Sequence, residues 1–199
     1  MEKIGKIFTA LFAVFIVFSI AGKASASELT QKQKESYYNE YVSIIEETNS
    51  KYDKDLKIAP IQEFTQEDWK SPEEFKKIVT DMASQEWVPV PKGNDITPFA
   101  SSVGTKRVTK YLSGVSVEIT VTGSFYTVLS GDRQVFGNIQ SITSKADKGT
   151  WTQLSYSPKL LDLNRTYSID IGGNFVYNKV TDSTNIHVEF FCTPTGAIN

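Results

Sequence analysis

His187 and Cys192 are the single histidine and the single cysteine of the 199-residue chain, and they stand five residues apart. An imidazole beside a thiol would supply a nucleophile and its general base. The residues around them argue otherwise. Ile186, Val188, Phe190 and Cys192 are apolar at every second position, whereas His187 and Glu189 take the alternate places. In a strand, residues of opposite parity leave opposite faces, and five residues span roughly 16 Å. Cys192 is therefore expected as a buried, inert thiol and His187 as a surface residue.

Carboxylates are the other groups able to do chemistry. Glu118, Asp170 and Glu189 fall at polar strand positions, the raw material of a glycosidase-like acid pair. Their plainer role is to discourage edge pairing. The adjacent acids Glu46-Glu47, Glu67-Asp68 and Glu73-Glu74 belong to helical segments, where sequence neighbours project about 100° apart and do not face each other. Zinc usually takes several histidine or cysteine ligands, and this chain has one of each. Asp53-Lys54-Asp55 is too short a piece of any calcium loop. Nucleophile-elbow, phosphate-loop and dinucleotide glycine patterns do not occur. No catalytic residue, cofactor or metal is expected. Tyr126, Trp151, Tyr156 and Tyr177 lie in or beside strands and are the candidate ligand-binding residues. Aromatics on a sheet offer large rigid surfaces for sugars or peptides, and their competing role is core packing.

The elements that would position these groups fall into two parts. Thr30-Gln31-Lys32-Gln33 has the form of a capping box, and Tyr37, Tyr38, Tyr41, Ile44 and Ile45 follow at helical steps to about Thr48. Ser71-Pro72-Glu73-Glu74 starts a second helix with an N-cap, a proline and a returning glutamate; Phe75, Ile78, Val79 and Met82 form its apolar face. Between them, Thr65 to Asp68 caps a short turn, and Leu56, Ile58, Ile61, Phe64 and Trp69 are core candidates. From about Thr105 the period changes to two. Val115, Val117, Ile119 and Val121 alternate with polar residues and run on through Gly123 to Leu129, the pattern of one long strand bent at glycine. Strands are also expected at Gln134 to Ser141, Trp151 to Ser157, Tyr167 to Tyr177 and Asn185 to Cys192. Ile119 to Phe125 and Ile169 to Phe175 share the form I-x-[VI]-x-G-[SN]-F, which either a duplicated half-sandwich or two similar bent strands would produce.

Charge divides the chain in the same place. Residues 27–92 hold 14 acidic and 9 basic side chains, and residues 93–199 hold 8 and 9. Neither part has the basic face that nucleic acid requires. The start of the chain carries Lys3 and Lys6, then an uncharged apolar run from Ile7 to Ile20, then Ala24-Ser25-Ala26. This is the layout of a secretory signal peptide cleaved after Ala26, and the run is shorter than the roughly 20 residues of a spanning helix. The product is expected to be secreted, extracellular or loosely attached to the cell wall, with no membrane contact after cleavage.

Residues 37–78, from Tyr37-Tyr38-Asn39-Glu40-Tyr41 to Lys76-Lys77-Ile78, resemble the N-terminal half of small secreted proteins of spore-forming Gram-positive bacteria. The excess of lysine over arginine is similar to the usage of such organisms. The resemblance covers about a fifth of the chain and implies secretion, with no activity attached to it.

The expected fold is α+β: a signal peptide (1–26), an acidic helical segment (27–92) and an antiparallel β-sandwich (93–199), joined near the proline- and glycine-rich Lys92-Gly93-Asn94-Asp95. The leading expectation for function is non-catalytic extracellular binding, to a cell-wall glycan or another secreted protein. A carboxylate-dependent secreted hydrolase is the alternative, and an inhibitor, immunity or matrix protein acting by protein contact is a third. Oligomeric state is not legible.

Overall fold

The computed structural model describes residues 29–91 and 102–199. The expected signal segment and the boundary near Lys92 lie outside the described residues. Helix α1 (Gln31–Tyr52) begins at the expected capping box: the Gln33 N–H donates to the Thr30 hydroxyl at 3.3 Å, and the Gln33 side chain accepts from the Thr30 N–H at 2.9 Å. Helix α2 (Pro72–Ser84) begins the same way, with Ser71 and Glu74 bonded reciprocally. Each box satisfies two N–H groups that a helix start leaves without partners. Strand β1 (Lys57–Ile58) and two single 3₁₀ turns (Ile61–Glu63 and Gln66–Asp68) connect the helices.

The tyrosine stripe of α1 is a packing surface. Tyr41 is fully buried and stacks on Phe75 of α2 with ring centroids 3.9 Å apart. Phe64 and Trp69 close the box around it. The Tyr41 hydroxyl donates to the Lys70 carbonyl and accepts the Lys70 N–H, so its polar end is satisfied on both counts. Burial pushes the Tyr41 pKa up to about 12.

Seven further strands complete two antiparallel sheets: β2 (Val88–Pro89), β3 (Val103–Leu112), β4 (Val115–Ser130), β5 (Arg133–Ala146), β6 (Thr150–Leu161), β7 (Thr166–Tyr177) and β8 (Val180–Phe191). One sheet has the order β2-β3-β4-β5 and the other β1-β8-β7-β6. The α+β class and the sandwich are as the periodicity requires. Each sheet is a three-strand meander plus one two-residue strand from the helical segment. The tight turns Ser113-Gly114 and Asn178-Lys179 have positive φ at both residues, the primed geometry whose twist suits a two-residue hairpin. The sheets meet with β3 against β8 and β5 against β6.

The repeated I-x-[VI]-x-G-[SN]-F segments lie in β4 and β7, each flanked by both other strands of its meander. In both, glycine makes room for a ring. A Cβ on Gly123 would approach the Phe125 ring to 2.5 Å, and one on Gly173 would approach the Trp151 ring to 2.6 Å.

Helices and sandwich share one core, and a charged pair sits where they join. Lys110 interrupts the inner row of Val108 and Leu112, and its side chain is almost fully buried. The ammonium donates to the Met82 carbonyl near the end of α2 at 2.7 Å, lies 3.6 Å from the Asp182 carboxylate of β8, and sits 5.5 Å over the Trp87 ring. Burial drives its pKa below the ordinary lysine value, and Asp182 pulls it part of the way back. A cation at the carbonyl end of a helix is favourably placed.

Candidate functional site

The histidine and cysteine are apart, as their parity requires. Cys192 is buried, and burial raises its thiol pKa. Slow reaction with a polar thiol reagent is the expected result, rising sharply when denaturant is added; fast labelling of the native protein would contradict the burial. His187 stands on the outer face of its sheet, Nδ1 2.8 Å from Asp170 and Nε2 3.8 Å from Glu189.

Of the three carboxylates singled out by their strand positions, Asp170 and Glu189 thus flank one imidazole. Glu118 lies on the other sheet, 3.7 Å from Arg107. The cross-strand row through His187 reads Ser157, Asp170, His187. In a hydroxyl relay the imidazole stands between hydroxyl and carboxylate; here the carboxylate stands in the middle. A cleft of about 250 Å³ lined by Pro89, Val90, Lys106, Arg107, His187, Val188 and Glu189 adjoins this cluster at the β3/β8 side. Among the described residues, no group of three or more His, Cys, Asp or Glu side chains is placed to hold a metal.

The four aromatic candidates separate into different environments. Trp151 is a core residue, 9% exposed, and its Nε1–H donates to the Ser144 hydroxyl at 2.7 Å. Tyr177 is half-buried and stacks on Phe175. Tyr126 is 56% exposed at the far end of β4, with its ring beside Gly137. Tyr156 is 41% exposed and lines an open concavity of about 590 Å³. The structure does not bring the four together.

That concavity is a groove between β5 and β6, the terminal strands of the two sheets. Ile142, Thr143 and Ser144 form one wall; Gln153, Leu154, Ser155 and Tyr156 form the other. At one end the walls are tied by side chains: the Ser144 hydroxyl donates to Gln153 Oε1 at 2.6 Å, and Gln153 Nε2 donates to the Ile142 carbonyl at 3.1 Å. At the other end the Phe136 N–H donates to the Asn164 carbonyl at 2.8 Å. The β5 arm between these ties, Phe136 to Ser144, is eight steps long, and the β6 arm, Gln153 to Asn164, is eleven. Between the ties β5 and β6 are not paired with each other.

The register with β7 determines what β6 turns into this opening. Tyr156, Pro158 and Leu160 pair with Ile171, Ile169 and Tyr167, which are buried in the core. Directly paired residues project from the same face, so all three point inward. Yet Pro158 is exposed and Leu160 is 36% exposed, because β5 does not cover them. Leu154 occupies the register shift between Gln153 and Ser155 and is 66% exposed at the rim. The seven lining residues of the groove thus combine Ile142, Leu154 and Tyr156 with hydroxyl and amide groups and include no acidic or basic side chain, and Pro158 and Leu160 continue the inward row of Tyr156 along β6 beyond them. Sequence periodicity pointed to Tyr156 but missed Ser144, Gln153 and Leu154.

Fold and site together define a helix-capped antiparallel sandwich with an open lateral groove. The chain matches no family model, no curated protein and no solved structure. Among the described residues no helix is long and apolar enough to cross a membrane.

Proposed function

We propose that this is a secreted, non-catalytic binding protein that holds an uncharged, extended ligand in the groove between β5 and β6. One observation carries the reading: the groove between β5 and β6 combines an exposed aromatic, an exposed leucine and a set of neutral hydrogen-bonding groups. Specific sites usually pair an apolar lining with a few placed polar groups, and the volume of about 590 Å³ is in the ordinary range for such sites. General acid–base chemistry most often uses histidine, carboxylate or lysine groups within reach of the bond that reacts, and the groove lining has none of these. Beside the cleft at β3/β8, Asp170 and Glu189 are engaged with one imidazole rather than standing as a free acid pair, which favours binding over the hydrolase alternative.

The test is retention of purified cell-wall glycan and of secreted proteins on the immobilised native protein and its variants. Tyr156→Ala and Leu154→Asp alter exposed groove residues and should leave the fold intact. Each is expected to weaken retention of the true ligand by about tenfold, the loss of one good anchor. Tyr126→Ala, away from the groove, should change little. Equal retention by the native protein and both groove variants would remove the groove as the site.

A further inference from the structure

We infer that the occupant of the groove is a short extended peptide segment that adds a strand to the open edges of β5 and β6. The inference rests on the groove being the binding site and goes further by naming the ligand's chemistry. A strand at the end of a sheet presents a row of unsatisfied N–H and C=O groups, and this groove has such an edge on both sides. Two N–H groups of β5 already donate away from its sheet: Gln134 to the Pro194 carbonyl at 2.9 Å, and Phe136 to Asn164. Toward Ser144 the Ile142 carbonyl accepts the Gln153 amide, and among the described residues no further backbone group continues the row.

On β6 the direction of the backbone follows from Pro158. A proline inside a paired strand is tolerated where its nitrogen faces the free edge. Tyr156 and Leu160 share its parity, so their N–H and C=O groups also face the groove edge. The same three residues direct their side chains inward. The opening thus offers backbone hydrogen bonds at strand spacing together with an apolar row at every second residue. An extended polypeptide supplies both complements at once, with backbone along the edge and alternate side chains filling the row. A glycan chain matches the hydroxyl and amide groups but has no repeat of donors and acceptors at the strand period.

The edges also limit what can enter. β5 is shifted in register at Gly137 and Gln140, β6 at Leu154, and Pro158 removes one donor. Bulges and proline interrupt open-ended sheet growth. With both ends tied, the opening suits a segment of about five residues, an ordinary strand length, with small or apolar side chains at alternate positions.

The experiment titrates labelled, end-blocked peptides that alternate threonine with valine, leucine or phenylalanine, and follows fluorescence anisotropy. A second set carries N-methyl groups at alternate peptide bonds, which delete donors on one edge while keeping the side chains. Chitohexaose serves as the neutral glycan probe. Saturable binding by at least one peptide is expected, weakened tenfold or more by N-methylation on one of the two parities and by Tyr156→Ala, and unaffected by Tyr126→Ala. The inference is overturned if no peptide saturates, or if both N-methylated parities bind as well as the parent. Chitohexaose binding that Tyr156→Ala removes, without peptide binding, would keep the groove as the site and replace the peptide by a glycan. Failure of the groove reading itself shows separately, as retention insensitive to Tyr156→Ala and Leu154→Asp.

Discussion

Replacing Lys110 with methionine is expected to destabilise the protein by about 3–5 kcal/mol, the cost of removing one partner from a buried ion pair. The methionine fills much the same space, so the loss comes from charge. Asp182 would keep its burial and lose the ammonium 3.6 Å away. Asp182→Asn should cost less, because the Met82 carbonyl and the Trp87 ring still face Lys110. The double variant Lys110→Met/Asp182→Leu should recover most of the stability, since apolar replacements of a buried pair are often neutral or better. Urea unfolding measures all three, and a fall in Tm on the order of 10 °C should accompany the first. A Lys110→Met protein as stable as the native one would mean that the pair is not held in the interior.

Trp151→Ala should be nearly as damaging, at about 3–5 kcal/mol. Its ring occupies the space that Gly173 leaves open on β7, and its indole N–H closes on Ser144. Alanine leaves a cavity beside Gly173, which has no side chain to fill it. Trp151→Phe keeps part of the ring and should cost less. The contrast with Tyr156 is the informative part: Tyr156→Ala should lower binding with stability nearly unchanged, while Trp151→Ala should lower stability with binding kept by the folded fraction. Loss of binding in a fully folded Trp151→Ala protein would show that the indole itself touches ligand.

Much of the fold was legible because its signals are local. The Thr30 and Ser71 capping boxes place both helix starts, and the alternation from Val115 to Leu129 runs through Gly123 as the single strand β4. The two-residue strands β1 and β2 were not legible, since two residues have no period and owe their form to β8 and β3. The groove was hidden for a related reason. Trp151 and Tyr156 have opposite parity, so strict alternation sends them to opposite faces; the register shift at Leu154 turns both inward. The ties between Ser144 and Gln153 and between Phe136 and Asn164 depend on how two sheets meet, which no single strand encodes. Lys110 did leave a trace, a lysine at the inward parity between Val108 and Leu112. Asp182 shares the parity of Val180 and Ile186 in the same way. Two opposite charges at inward positions of facing strands are a signal that a search for catalytic pairs passes over.

The pairing of Lys57 with Thr181 joins residues 124 positions apart, from the first described strand to the last. Contacts that span so much chain make folding slow, because loop closure must come before any reward. Until β8 is available, the sheet that contains it lacks the strand linking β1 to β7, and Asp182 cannot reach Lys110. The groups that complete this core, Asp182 and the inner row of β8, are thus among the last to be synthesised, and stability arrives late in the life of the growing chain.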